Sequence, residues 1–212
     1  MKTIITPSGF ASKPIISFIV KEGISKEDRI IIIRPKEDEM PRDAKDTLSE
    51  IKKFVSLISE DIEIDLKFVD ISDFDILLID LLEIFKNING EVIVNTYGSV
   101  REITIGLTII NLLFKRNISK VYHYSRMDEE CFILNLPTIV FPLEGMEKKV
   151  LELLESSVIN DYNSLARALK VSKSTISRII NILNDKKLVS VKEAGKKKII
   201  ELSISGRLLA NL

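Results

Sequence analysis

Four consecutive isoleucines, Ile30 to Ile33, are the feature that most limits how this chain can fold. Successive side chains of a strand point to opposite faces, so an unbroken run of β-branched residues makes both faces apolar. Such a strand has to be covered on each side, and a parallel sheet with helices on both faces provides that cover. The run, which is flanked by Arg29 and Arg34, therefore predicts a strand buried inside a parallel sheet.

Strand and helix patterns alternate along the first two thirds of the chain. Runs of β-branched residues predict strands, and apolar residues spaced three or four apart predict helices. The predicted strands cover residues 2–6, 29–34, 62–69, 92–94 and 120–125, and the predicted helices cover about 13–21, 43–59, 74–85 and 99–115. Two further short strands, 131–134 and 138–141, are expected to form a hairpin. This order predicts an α/β fold, a Rossmann-like domain with a mostly parallel sheet.

Two loops rich in small residues follow predicted strands. The first begins at Thr6 and contains Ser8 and Gly9, and the second runs from Asn95 to Ser99. Ligands of doubly wound sheets bind outside the carboxyl ends of the strands, so we expect both loops to line one crevice. Neither loop carries the Gly-x-Gly-x-x-Gly pattern of dinucleotide oxidoreductases or the Gly-x4-Gly-Lys pattern of P-loop nucleotidases, which argues against both classes.

The second loop has the chemistry of an anion site. A strand, a small-residue turn and a helix N-terminus follow one another, and such a turn presents backbone N–H groups at the positive end of a helix. Gly98 would let a ligand approach the backbone closely, and Arg101 supplies a cation. The alternative is an ordinary loop between a strand and a helix, with Ser99 as the helix N-cap, and the local sequence does not separate the two.

Charge is divided unevenly along the chain. Residues 1–145 hold 18 Lys and Arg against 24 Asp and Glu, a net of −6, whereas residues 146–212 hold 13 against 7, a net of +6. An acidic body joined to a basic C-terminal piece indicates two domains, the smaller of which meets a polyanion. We predict a first domain at 1–142, a linker at 143–145 and a second domain at 146–212.

The rare residue types exclude several kinds of site. The single cysteine, Cys131, excludes an intramolecular disulfide and a multi-cysteine metal centre, and the single histidine, His123, excludes His-rich zinc sites and most triad chemistry. We interpret both as structural and predict no metal and no catalytic residue. The chain shows no apolar run long enough to span a bilayer and no cleavable leader, so a cytoplasmic protein without a membrane partner is expected.

The C-terminal piece combines three helical patterns with a basic hairpin. In the third helix, four apolar residues from Ile176 to Leu183 form a buried stripe at helical spacing, and the opposite face is polar and basic. A hairpin with lysines at its tip follows, so the pattern predicts a winged helix-turn-helix that binds DNA. A winged helix used for protein contacts, or a solvated lysine-rich hairpin, is the alternative. The predicted DNA-binding residues are Lys173, Ser174, Thr175, Ser177, Arg178, Asn181, Lys196, Lys197 and Lys198.

The two loops and the C-terminal domain together resemble a known family. The chain is similar to the CRISPR-associated Rossmann fold (CARF) regulators, which are transcriptional regulators of archaeal type I-A CRISPR loci. Tyr97 departs from the family pattern, since many relatives have a small residue there. The residues that carry the resemblance are Thr6, Ser8, Gly9, Phe10, Asn95, Thr96, Gly98, Ser99, Arg101 and Glu102.

The resemblance implies a homodimer whose two crevices merge into one symmetric pocket. Many CARF domains bind cyclic oligoadenylates there, and the resemblance implies cyclic tetra-adenylate as the effector, with no other cofactor. It also implies that the ligand changes the placement of two winged helices on a palindromic promoter. The implied ligand-binding residues are Thr6, Ser8, Gly9, Phe10, Asn95, Thr96, Tyr97, Gly98, Ser99 and Arg101.

Two other functions stay open at this point. Some CARF domains cleave cyclic oligoadenylate, and a ring nuclease could use Ser8, Arg101 and Lys13 to position the ring and stabilise the transition state. A constitutive regulator that binds DNA without any ligand would retain the same turn-forming residues.

Overall fold

A computed structural model describes residues 2–37, 40–113, 118–125, 127–136, 143, 145–157, 159–194 and 197–211, without the side chains of residues 194 and 197. The chain separates into two units, Met1–Ile139 and Val140–Leu212. Within the described ranges, no helix is both long and apolar enough to cross a membrane.

The first unit alternates strands with helices. In chain order its elements are β1 (Lys2–Pro7), α1 (Lys13–Glu22), β2 (Arg29–Pro35), α2 (Arg42–Ile58), β3 (Glu63–Val69), α3 (Phe74–Lys86), β4 (Glu91–Asn95), α4 (Arg101–Leu113), β5 (Ile118–Ser125) and β6 (Glu130–Ile133). The strands form one sheet in the order β3-β2-β1-β4-β5-β6. All neighbours are parallel except β5 and β6. The predicted Rossmann-like, mostly parallel sheet is confirmed.

The last described strand of the sheet has a neighbour that the sequence analysis does not predict. β6 pairs antiparallel with β5, from Tyr122 opposite Ile133 to Ser125 opposite Glu130. A turn at residues 127–129 joins the two strands, and so short a connection permits only an antiparallel neighbour. The second strand of the predicted hairpin, 138–141, lies outside the described residues.

Both faces of β2 are covered. Its four isoleucines are at most 2% exposed. Two of them belong to a cluster with α1 and α2, which contribute Phe18 and Ile51. Side chains alternate along a strand, so Ile31 and Ile33 point to the opposite face, where they are shielded just as well. The isoleucine run is therefore confirmed as a strand buried on both sides.

The second unit has four helices and one hairpin among its described residues. Its elements are α5 (Gly145–Ser156), α6 (Tyr162–Leu169), α7 (Lys173–Asp185), β7 (Val189–Ala194), β8 (Lys197–Leu202) and α8 (Ile204–Ala210). β7 and β8 are antiparallel. The side chains of Asp161, Ser172 and Ser203 accept hydrogen bonds from backbone N–H groups at the starts of α6, α7 and α8. Helix α8 is not among the predicted elements, whereas the three earlier helices and the hairpin are.

Gly206 of α8 packs directly on the start of the hairpin. A Cβ atom at this position would lie 2.0 Å from the carbonyl oxygen of Leu188, a main-chain atom that cannot move aside on its own. We expect Gly206→Ala to lower the free energy of unfolding of the second unit by about 2 kcal/mol, as overpacking does elsewhere. Denaturant unfolding followed by circular dichroism measures the change.

Gly145→Ala is the matched control for this experiment. A Cβ atom at Gly145 would have no neighbour within 4 Å among the described residues, so this substitution adds a methyl group without a clash with them. Equal stability of the two variants would contradict the packing argument.

Candidate functional site

The first candidate site lies where the strand order of the sheet reverses. β1 and β4 are neighbours, with Ile5 opposite Val94, and the chain continues from β1 to β2 on one side and from β4 to β5 on the other. In open α/β sheets, ligands bind at this switch point, outside the carboxyl ends of the strands. Residues 8–12 follow β1 and are called the β1 loop, and residues 96–100 follow β4 and are called the β4 loop.

The two loops approach each other through their backbones. A Cβ atom at Gly9 would lie 2.6 Å from the carbonyl oxygen of Gly98, and one at Gly98 would lie 2.7 Å from the carbonyl oxygen of Pro7. Gly98 also has φ = 129°, which residues with a side chain rarely adopt. Both positions therefore require glycine, and the absence of their side chains sets the spacing of the loops.

The side chain of Asn95 connects the β4 loop to the end of β1 through hydrogen bonds. Its Nδ2 donates to Oγ1 of Thr6 at 3.0 Å and to the carbonyl oxygen of Tyr97 at 2.7 Å. Its Oδ1 accepts from the backbone N–H of Tyr97 at 3.2 Å. The side chain is fully buried, so these hydrogen bonds do not compete with water. Asn95 thus shapes the β4 loop and fixes it to the end of β1.

Four of the predicted ligand-binding side chains lie beneath the crevice surface. Thr6, Ser8 and Asn95 are 0% exposed, and Thr96 is 1% exposed. This burial supports a role in shaping the loops. Contact between these side chains and a ligand stays a prediction.

The remaining predicted ligand-binding residues are exposed or half-buried. Phe10 is 64% exposed, and its ring is therefore available for stacking. Arg101 is exposed at the first position of α4, where the positive end of the helix dipole lies. The half-buried members of the set are Gly9, Tyr97, Gly98 and Ser99.

Ser99 does not cap α4. The helix begins at Arg101, and the Ser99 hydroxyl is buried without a hydrogen-bond partner among the described residues. The hydroxyl of Ser8 in the facing loop is in the same state. Because buried polar atoms are nearly always paired, two unpaired hydroxyls in facing loops are unusual. The Ser99 cap, which was part of the alternative interpretation, is therefore wrong, whereas an anion site at the β4 loop stays a prediction.

His123 packs against the β4 loop. Its Nδ1 lies 3.0 Å from Oγ1 of Thr96, and its ring meets that of Tyr97 edge-on, with centroids 5.6 Å apart and an interplanar angle of 89°. Burial lowers the pKa of the imidazole below its ordinary value of 6.5. His123 reaches the β4 loop because β5 pairs with β4, with Tyr122 opposite Asn95. No sequence motif indicates this contact.

The other reactive groups near the crevice are buried or paired. Cys131 is 3% exposed, and burial raises the pKa of its thiol, which keeps it protonated. Lys13 at the start of α1 lies 2.5 Å from the carboxylate of Glu129. Across the part of the chain that the structure describes, no cluster of three or more His, Cys, Asp or Glu residues could hold a metal ion.

The second candidate site is the outer face of α7. The apolar stripe of this helix is buried, with Ile176 and Ile180 at 0% exposure, so its polar side turns outward. Lys198 of β8 is exposed, whereas Lys196 and the side chain of Lys197 lie outside the described residues. Among the predicted DNA-binding residues of α7, the exposed ones are Lys173, Ser174, Arg178 and Asn181, and the half-buried ones are Thr175 and Ser177.

The family of the first unit follows from its sequence. The profile of the Csa3 CRISPR-associated Rossmann-like domain matches residues 2–136. The chain belongs to this family. The match spans the sheet from β1 to β6, and we call residues 2–136 the Csa3 domain. The resemblance drawn from the two loops is confirmed at the level of a CRISPR-associated Rossmann-like domain.

Beyond the family match, the chain shows a distant likeness to a solved structure. No curated protein sequence matches the chain. One of the solved structures that resemble it is Enterococcus italicus Csm6 bound to cyclic hexa-2'-fluoro-hexa-dAMP, with a TM-score of 0.48 and 14% sequence identity. The likeness covers 88% of this chain and 55% of the Csm6 chain. The chain thus spans about half the length of Csm6.

His123 makes the Csa3 domain sensitive to pH. Its pKa is lowered in the folded state, so the unfolded chain binds a proton at a higher pH. The contribution of neutral His123 to the free energy of unfolding is therefore fully present above pH 6.5, and it is lost as the pH falls through the pKa of the folded state. We expect the imidazole resonance, the single one in the chain, to titrate below pH 6.5 in an NMR experiment.

Stability measurements give an independent check of this expectation. The free energy of unfolding of the Csa3 domain should decline as the pH is lowered below 6.5, and His123→Gln should lack that part of the decline. A His123 resonance that titrates at or above pH 6.5 would contradict the prediction.

Proposed function

We propose that this protein is a ligand-responsive transcriptional regulator of CRISPR-associated genes. It senses a cyclic oligoadenylate, with cyclic tetra-adenylate as the effector, in the crevice of the Csa3 domain, and it binds promoter DNA through the second unit. The observation that carries the proposal is the meeting of the β1 and β4 loops at the switch point of a CRISPR-associated Rossmann-like domain.

The accessible groups of the crevice suit a ring of phosphates and bases. Arg101 offers an exposed cation at the N-terminal end of α4. Phe10 exposes an aromatic ring, on which any base can stack. A cyclic oligoadenylate would use both features.

The second unit supplies the features of a DNA reader. Three helices followed by a two-stranded hairpin are the order of a winged helix-turn-helix, and residues 146–212 carry a net charge of +6. We propose that α7 enters the major groove with Lys173 and Arg178, and that Lys198 of the hairpin contacts phosphate. The sequence-based boundaries follow this division, with sensing and dimerisation in 1–142 and DNA binding in 146–212.

A regulator of this kind acts as a homodimer. Two crevices then face one symmetric ligand, and two winged helices read a palindrome whose half-sites lie one helical turn, or a multiple of it, apart. The ligand can alter DNA binding only if it binds the DNA-competent and DNA-incompetent arrangements with different affinity.

The burial of Ser8 argues against one of the three groups that a ring nuclease could use, since this residue is 0% exposed. Lys13, which lies 2.5 Å from the carboxylate of Glu129, is 63% exposed, and Arg101 is exposed as well. The ring nuclease therefore stays the alternative function, and the state of the ligand after titration separates the two.

Calorimetric titration with cyclic tetra-adenylate, followed by chromatography of the ligand, tests the proposed sensor. We expect one intact ligand per dimer for the wild type. Gly98→Ala should weaken that binding about tenfold or more, because its Cβ would lie 2.7 Å from the carbonyl oxygen of Pro7 and force the loops apart. Promoter binding without ligand should be unchanged.

Gly23→Ala is the matched control for Gly98→Ala. Gly23 has φ = 69°, and a Cβ there would have no neighbour within 4 Å, so the variant carries backbone strain without disturbing the crevice. A cleaved ligand would put the ring nuclease first, and no binding by two methods would favour a constitutive regulator. Equal loss of ligand and DNA binding in Gly98→Ala would mean that the β4 loop is only structural.

Arg178→Ala tests the DNA-binding face of α7. Removal of this exposed cation should weaken binding to the promoter of the CRISPR-associated genes by about 1 kcal/mol or more. It should also reduce the slope of the logarithm of the binding constant against the logarithm of the salt concentration by about one. Arg207→Ala removes the same charge from α8, where the guanidinium lies 4.0 Å from Glu155, and should leave affinity near the wild-type value. Fluorescence anisotropy at several salt concentrations measures both, and an unchanged affinity and slope in Arg178→Ala would rule out this face.

A further inference from the structure

Arg34 is a buried cation directly behind the β1 loop. It lies near the carboxyl end of β2, and its side chain is 1% exposed. Among the described residues it is the largest of the fully buried side chains. Arginine is seldom buried to this extent unless its charge and its N–H donors have specific partners.

Arg34 holds two successive carbonyl groups of the β1 loop. Its Nη1 donates to the carbonyl oxygen of Ser8 at 3.1 Å and to that of Gly9 at 3.0 Å. On the other side, Nη2 lies 3.7 Å from the carboxylate of Glu37. Because hydrogen bonds from a charged donor are stronger than neutral ones, both carbonyls are held on the inner side of the loop.

Fixing these carbonyls turns two N–H groups outward. The described residues contain no cis peptide bond, and in a planar trans peptide the carbonyl oxygen points away from the N–H of the next residue. The Ser8 and Gly9 carbonyls point at the guanidinium, so the N–H groups of Gly9 and Phe10 point away from it. Neither N–H donates a hydrogen bond within the described ranges.

Two adjacent N–H groups that point the same way can hold an anion between them. Gly9 is half-buried and Phe10 is exposed, so this pair of N–H groups lies in the accessible part of the β1 loop. The guanidinium behind it adds positive potential, which Glu37 offsets only in part because its carboxylate is 29% exposed and screened by water.

We infer that Arg34 is the positioning residue of an anion site made by the N–H groups of Gly9 and Phe10. The inference rests on the proposed function, in which the anion is a phosphate of the cyclic oligoadenylate. Arg34 acts through the loop and does not touch the ligand. Its hydrogen-bond partners in the β1 loop are main-chain atoms, which explains why no side-chain motif in the sequence points to it.

Three variants and the wild type, titrated with cyclic tetra-adenylate by calorimetry, test this role. Arg34→Met, which keeps the bulk and removes the charge and donors, should bind about tenfold or more weakly, while promoter binding without ligand is retained. Arg34→Lys should recover part of the loss, because an ammonium group can still donate to the carbonyls. Arg29→Met removes an arginine from the other end of β2, where it lies 2.8 Å from Asp65, and should bind as the wild type does.

Amide NMR follows the two N–H groups directly, and its wild-type measurement does not depend on how a variant folds. The Gly9 and Phe10 amide resonances should move downfield when cyclic tetra-adenylate is added, and they should stay in place in Arg34→Met at saturating ligand. Ligand binding by the wild type with both resonances unmoved, or equal affinity in Arg34→Met, would overturn this inference and leave the sensor intact. No binding by the wild type would overturn the sensor and this inference together.

Discussion

Burial of β2 on both faces is the constraint on which the rest of the first unit depends. A strand without a polar face needs helices on each side, and parallel strands need crossover connections that supply those helices. Parallel strands also end at the same edge of the sheet, so the loops that follow β1 and β4 meet there. The meeting of these two loops thus follows from the parallel arrangement of strands that also places helices over both faces of β2.

At the two loops, the residues that fix the backbone differ from those whose side chains are exposed to a ligand. Asn95 and Arg34 lie below the surface and hold the loops through hydrogen bonds to main-chain and buried atoms. Phe10 and Arg101 reach the surface without such bonds to the loops. A framework that is rigid before a ligand arrives lowers the entropy lost on binding.

The periodicity of apolar residues was sufficient to predict most of the strands and helices. It was insufficient to predict how the side chains of the β1 and β4 loops are arranged. The isoleucine run and the alternation of patterns predict β1 to β5 and their helices because burial imposes a period on each. The partner of β6 depends on the turn at residues 127–129, which has no apolar pattern. The loop motifs name the residues that gather at the switch point but not the direction of each side chain, so the burial of Ser8 and the unpaired hydroxyl of Ser99 could not be predicted. The role inferred for Arg34 depends on carbonyl groups 25 and 26 residues away, which leave no trace in residue types.

The close approach of Gly9 and Gly98 separates the residues that set the spacing of the loops from those that face outward. Main-chain contacts at the two glycines and the buried side chain of Asn95 set this spacing, so exchange of the exposed side chain at Phe10 leaves it unchanged. The outward-facing contacts can therefore be altered by substitution while the framework persists.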